Sequence, residues 1–267
     1  GNDNITVTLN AATDGFFAVN SQGQFDHDYT GTARTDDDIV DASTSSLPVI
    51  VFGGQGRDAI TGGSGDDILF GDRGRVTYYA ADGVTPVQVL GNGGLGDKTD
   101  GLTHLVGSIS TADLAIGSND LIVTGEGRNI VLGGANGGGA LPNGWDGDHI
   151  TGGSNDDIML GDNGRLTFNS AGLVTEYLTT DIVATTGGSD RLIAGEGSNT
   201  VLGGMGADSI TVGGGSDKVL GDNGRFLMDT AGLQFAFVTT FSQASTGGSI
   251  ADLGGNDTIS GGTGDKT

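Results

Sequence analysis

Aliphatic residues recur every nine positions along much of the chain, each preceded two positions earlier by Asp or Asn and flanked by glycines. From Gly53 the sequence reads GGQGRDAIT, GGSGDDILF and GDRGRVTYY, and the pattern returns from Gly203 as GGMGADSIT, VGGGSDKVL and GDNGRFLMD. Glycine at positions one, two and four suits tight turns, and the aliphatic at position eight suits a short strand with one buried face. We expect the position-eight residues to fill a thin core: Ile60, Leu69, Val131, Ile150, Val201, Ile210 and Val219.

A longer period lies above the nonapeptide. The motif GDxGR begins at Gly71, Gly161 and Gly221, and each copy is followed by an alternating stretch with a small turn, which predicts a β-hairpin. We predict a partial repeat module with an irregular insertion at residues 1–46 and the start of a further module at 250–267. Between them we predict three modules, 47–116, 117–186 and 187–249, with hairpins at 75–90, 165–180 and 225–241.

Position nine of the nonapeptide, which points away from the core, alternates between two kinds of side chain from one nonapeptide to the next. In one set it is large and apolar: Phe52, Phe70, Leu132, Leu160, Leu202 and Leu220. In the other set it is mostly small and polar: Thr61, Thr151, Thr211 and Ser260, with Val123 and Ile193 as exceptions. If alternate nonapeptides contribute their strands to opposite sheets, the outer face of one sheet is exposed to water and that of the other is covered by protein. We expect the hairpins to cover it; the rival is a neighbouring chain.

The acidic excess restricts the partners. The formal net charge is −23, with 34 acidic and 11 basic residues, which argues against nucleic acid and anionic membrane surfaces. All but Glu126, Glu176 and Glu196 of the acidic residues are Asp, which fits tight turns and binds hard cations through oxygen. There is no Cys, only three His and no apolar run long enough for a membrane span, so calcium is favoured over zinc or haem.

The nonapeptide GGxGxDxUx, where U is a large aliphatic, resembles the repeat of the RTX (repeats-in-toxin) hemolysin-type calcium-binding family, of which it is a known signature. The resemblance implies an all-β fold, a parallel β-roll (β-solenoid), in which two nonapeptides form one turn and the inserted hairpins project from it. Successive turns would stack at about 4.8 Å. It also implies that calcium lies between stacked loops, bound by position-six carboxylates and glycine carbonyls.

The resemblance assigns candidate calcium ligands residue by residue. Position six is occupied by Asp58, Asp67, Asp120, Asp148, Asp157, Asp190, Asp208, Asp217 and Asp257, and by the neutral Asn129 and Asn199. At position two of the last half-turn, Asp72, Asp162 and Asp222 replace glycine and could close a site beside Asp58, Asp148 and Asp208 respectively. The alternative is that these residues only cap turns. A stacked column of carboxylates repels itself unless cations intervene, so we predict a chain largely unfolded without calcium.

Other repeated polar residues admit plainer roles. Arg75, Arg165 and Arg225 share one module position, and we expect an ion pair with a nearby Asp rather than ligand binding. For Glu126 and Glu196, calcium ligation and a solvated edge are equally open. A lone Trp145 is a packing residue or a glycan contact.

The sequence contains no GxSxG, HExxH, Walker or cysteine-nucleophile motif, so we expect no enzyme. We predict a calcium-binding structural segment of an extracellular adhesin, surface-layer or filament-like bacterial protein. Its partners would be calcium, further copies stacked head to tail, or a cell-surface glycan. The alternative is a non-catalytic secretion and folding tail of a secreted enzyme or toxin.

Overall fold

The computed structural model describes residues 4–8, 17–20, 36–80, 82–87, 105–137, 141, 144, 146–181, 185–239 and 254–265, and over these the protein is all β, with 22 strands in three sheets and no helix. The first, which we call the exposed sheet, has eight parallel strands: β1 Asn4–Thr6, β3 Ile39–Asp41, β5 Ala59–Thr61, β10 Leu121–Val123, β12 His149–Thr151, β16 Arg191–Gly195, β18 Ser209–Val212 and β22 Thr258–Gly261.

A second sheet, the covered sheet, has seven parallel strands: β2 Phe17–Asn20, β4 Val49–Gly54, β6 Ile68–Asp72, β11 Ile130–Gly134, β13 Ile158–Asp162, β17 Thr200–Gly204 and β19 Lys218–Asp222. The chain passes from one parallel sheet to the other at almost every step, β3 to β4 to β5 to β6, so each nonapeptide contributes one short strand. Each further pair of nonapeptides therefore adds one strand to each of the two sheets.

The core lies between these two sheets and is a single cluster of aliphatic side chains. The predicted position-eight residues Ile60, Leu69, Val131, Ile150, Val201 and Ile210 are at most 1% exposed, and Val219 packs against them while partly buried. That prediction is confirmed. The same cluster also contains residues at equivalent register positions that are not among the predicted core residues: Val40, Val51, Ile122, Met159 and Leu192.

A third sheet, the hairpin sheet, is antiparallel. Its strands are β7 Gly74–Tyr79, β8 Pro86–Val87, β9 Leu105–Thr111, β14 Gly164–Phe168, β15 Val174–Thr179, β20 Gly224–Met228 and β21 Gln234–Thr239. The pairs β14–β15 and β20–β21 confirm the hairpins predicted within 165–180 and 225–241. In the first hairpin β7 pairs with β8, and the rest of that prediction lies partly outside the described residues.

The hairpin sheet covers the apolar outer face of the covered sheet, as predicted. Leu132, Leu160 and Leu202 are fully buried and Leu220 is 8% exposed, in one cluster with Leu166 and other hairpin-sheet side chains. The outer face of the exposed sheet stays open, with its position-nine residues half-buried or exposed. The rival explanation, a neighbouring chain, is not needed for these four leucines. The predicted module boundaries stay a prediction.

Candidate metal-binding edge

A column of seven aspartates runs along one edge of the molecule, where the strands of the exposed sheet begin. This Asp column consists of Asp38, Asp58, Asp120, Asp148, Asp190, Asp208 and Asp257, each directly before its strand. From Asp58 onward, each carboxylate oxygen Oδ1 accepts a hydrogen bond from the backbone N–H of the Asp one rung earlier, at 2.6 to 2.9 Å. The same oxygen of every carboxylate is therefore used to hold successive rungs in register.

The second oxygen of these carboxylates is buried and accepts no hydrogen bond. This holds for Oδ2 of Asp58, Asp120, Asp148, Asp190 and Asp208. A buried carboxylate oxygen without a partner carries a desolvation cost that a protein ordinarily avoids. Five such oxygen atoms at equivalent places in one column are the arrangement expected of a cation-binding edge.

The position-one glycines keep space open beside these oxygens. A Cβ added to Gly133 would overlap both Asp148 Oδ2 and the carbonyl oxygen of Gly161, and a Cβ on Gly203 would overlap Asp208 Oδ2 and the Gly221 carbonyl oxygen. A carboxylate oxygen and a carbonyl oxygen thus face the same small space, which is empty only because the residue beside it is glycine. Calcium prefers such a set of carboxylate and backbone oxygens.

Burial and the charges of nearby carboxylates raise the pKa values of the Asp column from Asp58 to Asp257. Burial is the largest cause, and it raises the pKa of Asp58 to about 8, that of Asp148 to about 8 and that of Asp208 to about 9, helped by the charges of neighbouring carboxylates. For Asp120 and Asp190 the same causes raise the pKa well above the ordinary value. Without a cation, the column resists ionisation at neutral pH.

The position-two aspartates lie on this same edge, at the ends of covered-sheet strands. Burial and the charges of Asp148 and Asp58 raise the pKa of Asp72. Burial and the charges of Asp190, Asp181 and Asp208 raise the pKa of Asp162. Its expected place beside Asp148 stays a prediction. Both oxygens of Asp72 and Asp162 already accept hydrogen bonds, which distinguishes them from the Asp column. Asp222 contributes charge beside Asp208 and Asp257, as expected.

The opposite edge, where the covered-sheet strands begin, carries a different set, which we call the mixed column: Asp67, Asn129, Asp157, Asn199 and Asp217. Its Oδ1 atoms form the same ladder, accepting from the backbone N–H one rung earlier at 2.9 to 3.0 Å. Burial raises the pKa of Asp67 and Asp157 only to about 6, because backbone hydrogen bonds, and for Asp157 the Asn129 side chain, favour the ionised form.

Protein side chains alone do not complete a metal site: among the described residues, no group of three or more His, Cys, Asp or Glu is placed to hold a metal ion. Any calcium site would therefore combine the Asp oxygens with backbone carbonyls, as the glycine positions allow. Asp38, which was not predicted, extends the column, because its backbone N–H donates to Asp58 Oδ1. Its signal was the D-x-aliphatic spacing of Asp38 to Val40, which lacks the flanking glycines.

The remaining polar predictions have simpler outcomes. The shared-position arginines Arg165 and Arg225 form ion pairs with Glu176 of the hairpin sheet, at 3.1 and 3.6 Å, where an Asp was expected as the partner. Glu196 accepts a hydrogen bond from the Gly214 N–H at 2.8 Å, and Glu126 bonds the hydroxyl of Ser154. Trp145 lies outside the described residues.

Carboxylates stacked at the starts of parallel strands are the feature expected of a calcium-binding repeat protein. The model of the RTX calcium-binding nonapeptide repeat matches four segments, residues 50–78, 116–136, 180–225 and 249–265, so the chain carries RTX calcium-binding repeats. Asp148 and Asp157 lie outside these segments, yet the structure places them in the same two columns. No curated protein and no solved structure that was compared matches the chain.

Proposed function

We propose that this protein is a calcium-loaded β-roll that serves as a rigid structural segment of an extracellular adhesin, surface-layer or filament-like protein, and that it is not an enzyme. The observation that carries the calcium part is the row of buried Oδ2 atoms in the Asp column, which accept no hydrogen bond. The RTX repeats imply calcium binding independently of that geometry.

The Asp column supplies the reason for calcium-dependent folding. Ionised carboxylates on adjacent rungs repel each other, and a divalent cation between them replaces that repulsion with attraction to both neighbours. A site assembled from rungs far apart in sequence, such as Asp58 and Asp120, does not exist in the unfolded chain, so the free energy of calcium binding contributes directly to folding. Calcium concentrations outside cells suit sites of modest affinity.

Continuity of the sheets supports the rigid, structural role. The exposed sheet runs without interruption from β1 to β22, and the hairpin sheet joins hairpins from separate modules, since β15 pairs with β20 and β9 with β14. Hydrogen bonding between modules on two layers opposes bending at the module boundaries. No helix long and apolar enough to cross a membrane occurs among the residues described.

A calcium titration tests the proposal. Metal-free protein should show little β signal by circular dichroism and should gain it cooperatively with calcium, whereas magnesium, which demands tighter octahedral geometry, should be far less effective. The variant Asp148→Ala should need more calcium, and Asp82→Ala, at an exposed hairpin turn, should titrate like wild type. A full β signal in calcium-free buffer at neutral pH, unchanged by calcium, would overturn the proposal. A catalytic domain encoded next to residues 1–267 in the gene would favour the secretion-tail alternative.

A further inference from the structure

At the rungs of Asn129 and Asn199, the two edges of the molecule differ at one side-chain atom. In the Asp column the second side-chain atom, Oδ2, is an acceptor with no hydrogen bond. At Asn129 and Asn199 in the mixed column, Oδ1 accepts the ladder hydrogen bond, so the atom at the equivalent place is the amide nitrogen Nδ2. An amide nitrogen donates hydrogen bonds and cannot bind a cation.

The amide nitrogens of both asparagines are surrounded by oxygen acceptors. Asn129 Nδ2 donates to the carbonyl oxygens of Gly127 at 3.0 Å and Glu126 at 3.2 Å, and to Asp157 Oδ1 on the next rung at 3.0 Å. Asn199 Nδ2 repeats this arrangement two rungs further along the mixed column. Its acceptors are the carbonyls of Gly195, Glu196 and Gly197 at 3.3 to 3.4 Å and Asp217 Oδ1 at 3.0 Å.

This acceptor set has the composition of a calcium shell: loop carbonyls and a carboxylate from the adjacent rung. It is filled by an uncharged group already attached to the chain. Both asparagines are at most 1% exposed, so water does not compete for these hydrogen bonds.

We propose that the amide groups of Asn129 and Asn199 take the place of calcium at their two rungs, so that the mixed column is closed there without metal while the Asp column depends on it. This inference rests on the proposed calcium function. It reverses the sequence-based assignment of Asn129 and Asn199 as calcium ligands. The rungs of Asn129 and Asn199 would then be linked to their neighbours before calcium is bound, whereas every rung of the Asp column would need the cation.

Exchanging Asn and Asp tests the inference, because the two side chains have nearly the same shape. Calcium bound per chain would be measured by atomic emission after equilibrium dialysis against buffered calcium. Asn129→Asp should bind about one more ion than wild type, and the double variant Asn129→Asp/Asn199→Asp about two more. The calcium midpoint for folding by circular dichroism should rise in both, because carboxylates replace donors beside Asp157 and Asp217.

The matched control exchanges the residues in the opposite sense on the other edge. Asp148→Asn should bind about one ion fewer and fold at lower calcium, since its Oδ1 can keep the ladder bond to Asp120 while its nitrogen faces the carbonyl of the next rung. This variant also decides the question if the Asn→Asp variants fail to fold.

The outcomes separate the two claims. If wild type binds no calcium, the proposed function fails. If wild type binds calcium but Asn129→Asp and Asn199→Asp bind the same number of ions as wild type, or if Asp148→Asn loses none, only this inference is overturned.

Discussion

Acid should fold the calcium-free protein, because the buried Asp column favours neutral carboxyl groups. Burial raises the pKa of Asp58 from 3.8 to about 8 and that of Asp208 to about 9. Between about pH 4 and pH 8 the folded state therefore binds more protons than the unfolded state. The unfolding free energy of the calcium-free protein should be greatest below about pH 4 and should fall as the pH rises through these folded pKa values.

The size of this change in unfolding free energy follows from the pKa of one carboxyl group. At about 1.4 kcal/mol for each tenfold change in proton affinity, ionisation of Asp58 at pH 8 costs the folded state about 6 kcal/mol. That is comparable to the whole stability of many domains. Neighbouring carboxyls in the column titrate together, so their contributions do not add. One group suffices to shift the equilibrium.

Metal-free protein, stripped on a chelating resin, would be followed by circular dichroism at several pH values between 4.5 and 8, and its unfolding free energy would be measured with urea at each pH where it is folded. Asp148→Asn removes one titrating group from the column and should flatten the pH dependence, whereas the exposed turn variant Asp82→Asn should leave it unchanged. Saturating calcium should reverse the sign, since protons compete with the cation for the carboxylates. Calcium-free stability that rises with pH over this range would refute the reasoning.

Two substitutions test the packing of the hairpin sheet on the covered sheet and the space that glycine leaves beside the Asp column. Leu160→Ala removes a fully buried side chain between the covered sheet and the hairpin sheet and should lower the unfolding free energy in calcium by about 3 to 5 kcal/mol, against less than about 0.5 kcal/mol for Thr151→Ala on the open face. Equal losses in urea unfolding would contradict the covering role. Gly133→Ala crowds the Asp148 oxygen and should weaken calcium binding about tenfold by calorimetry. Gly172→Ala, in an open hairpin turn, should bind calcium like wild type, although its positive φ costs about 1 to 2 kcal/mol of stability.

Several features of the site were readable from the sequence because each depends on a single nonapeptide. Because position eight of each nonapeptide is buried, Ile60 could be assigned to the core from spacing, and the RTX resemblance then assigned Asp58, two positions earlier, to the edge. The apolar position-nine residues also predicted a covered sheet, since an exposed row of leucines would be unfavourable in water. Asp38 was missed because its rung keeps the Asp and the aliphatic but lacks the glycines.

The repeat in the sequence determined that this protein forms short parallel strands with carboxylates stacked along their starting edges, because turn geometry and strand alternation are local properties of nine residues. Only the tertiary structure decided which groups meet across rungs. β9 lies between β7 and β14, Glu176 pairs with arginines from two hairpins, and the amide of Asn129 turns its nitrogen toward loop carbonyls. These arrangements join residues distant in sequence, and whether an oxygen or a nitrogen faces a site depends on every acceptor around it.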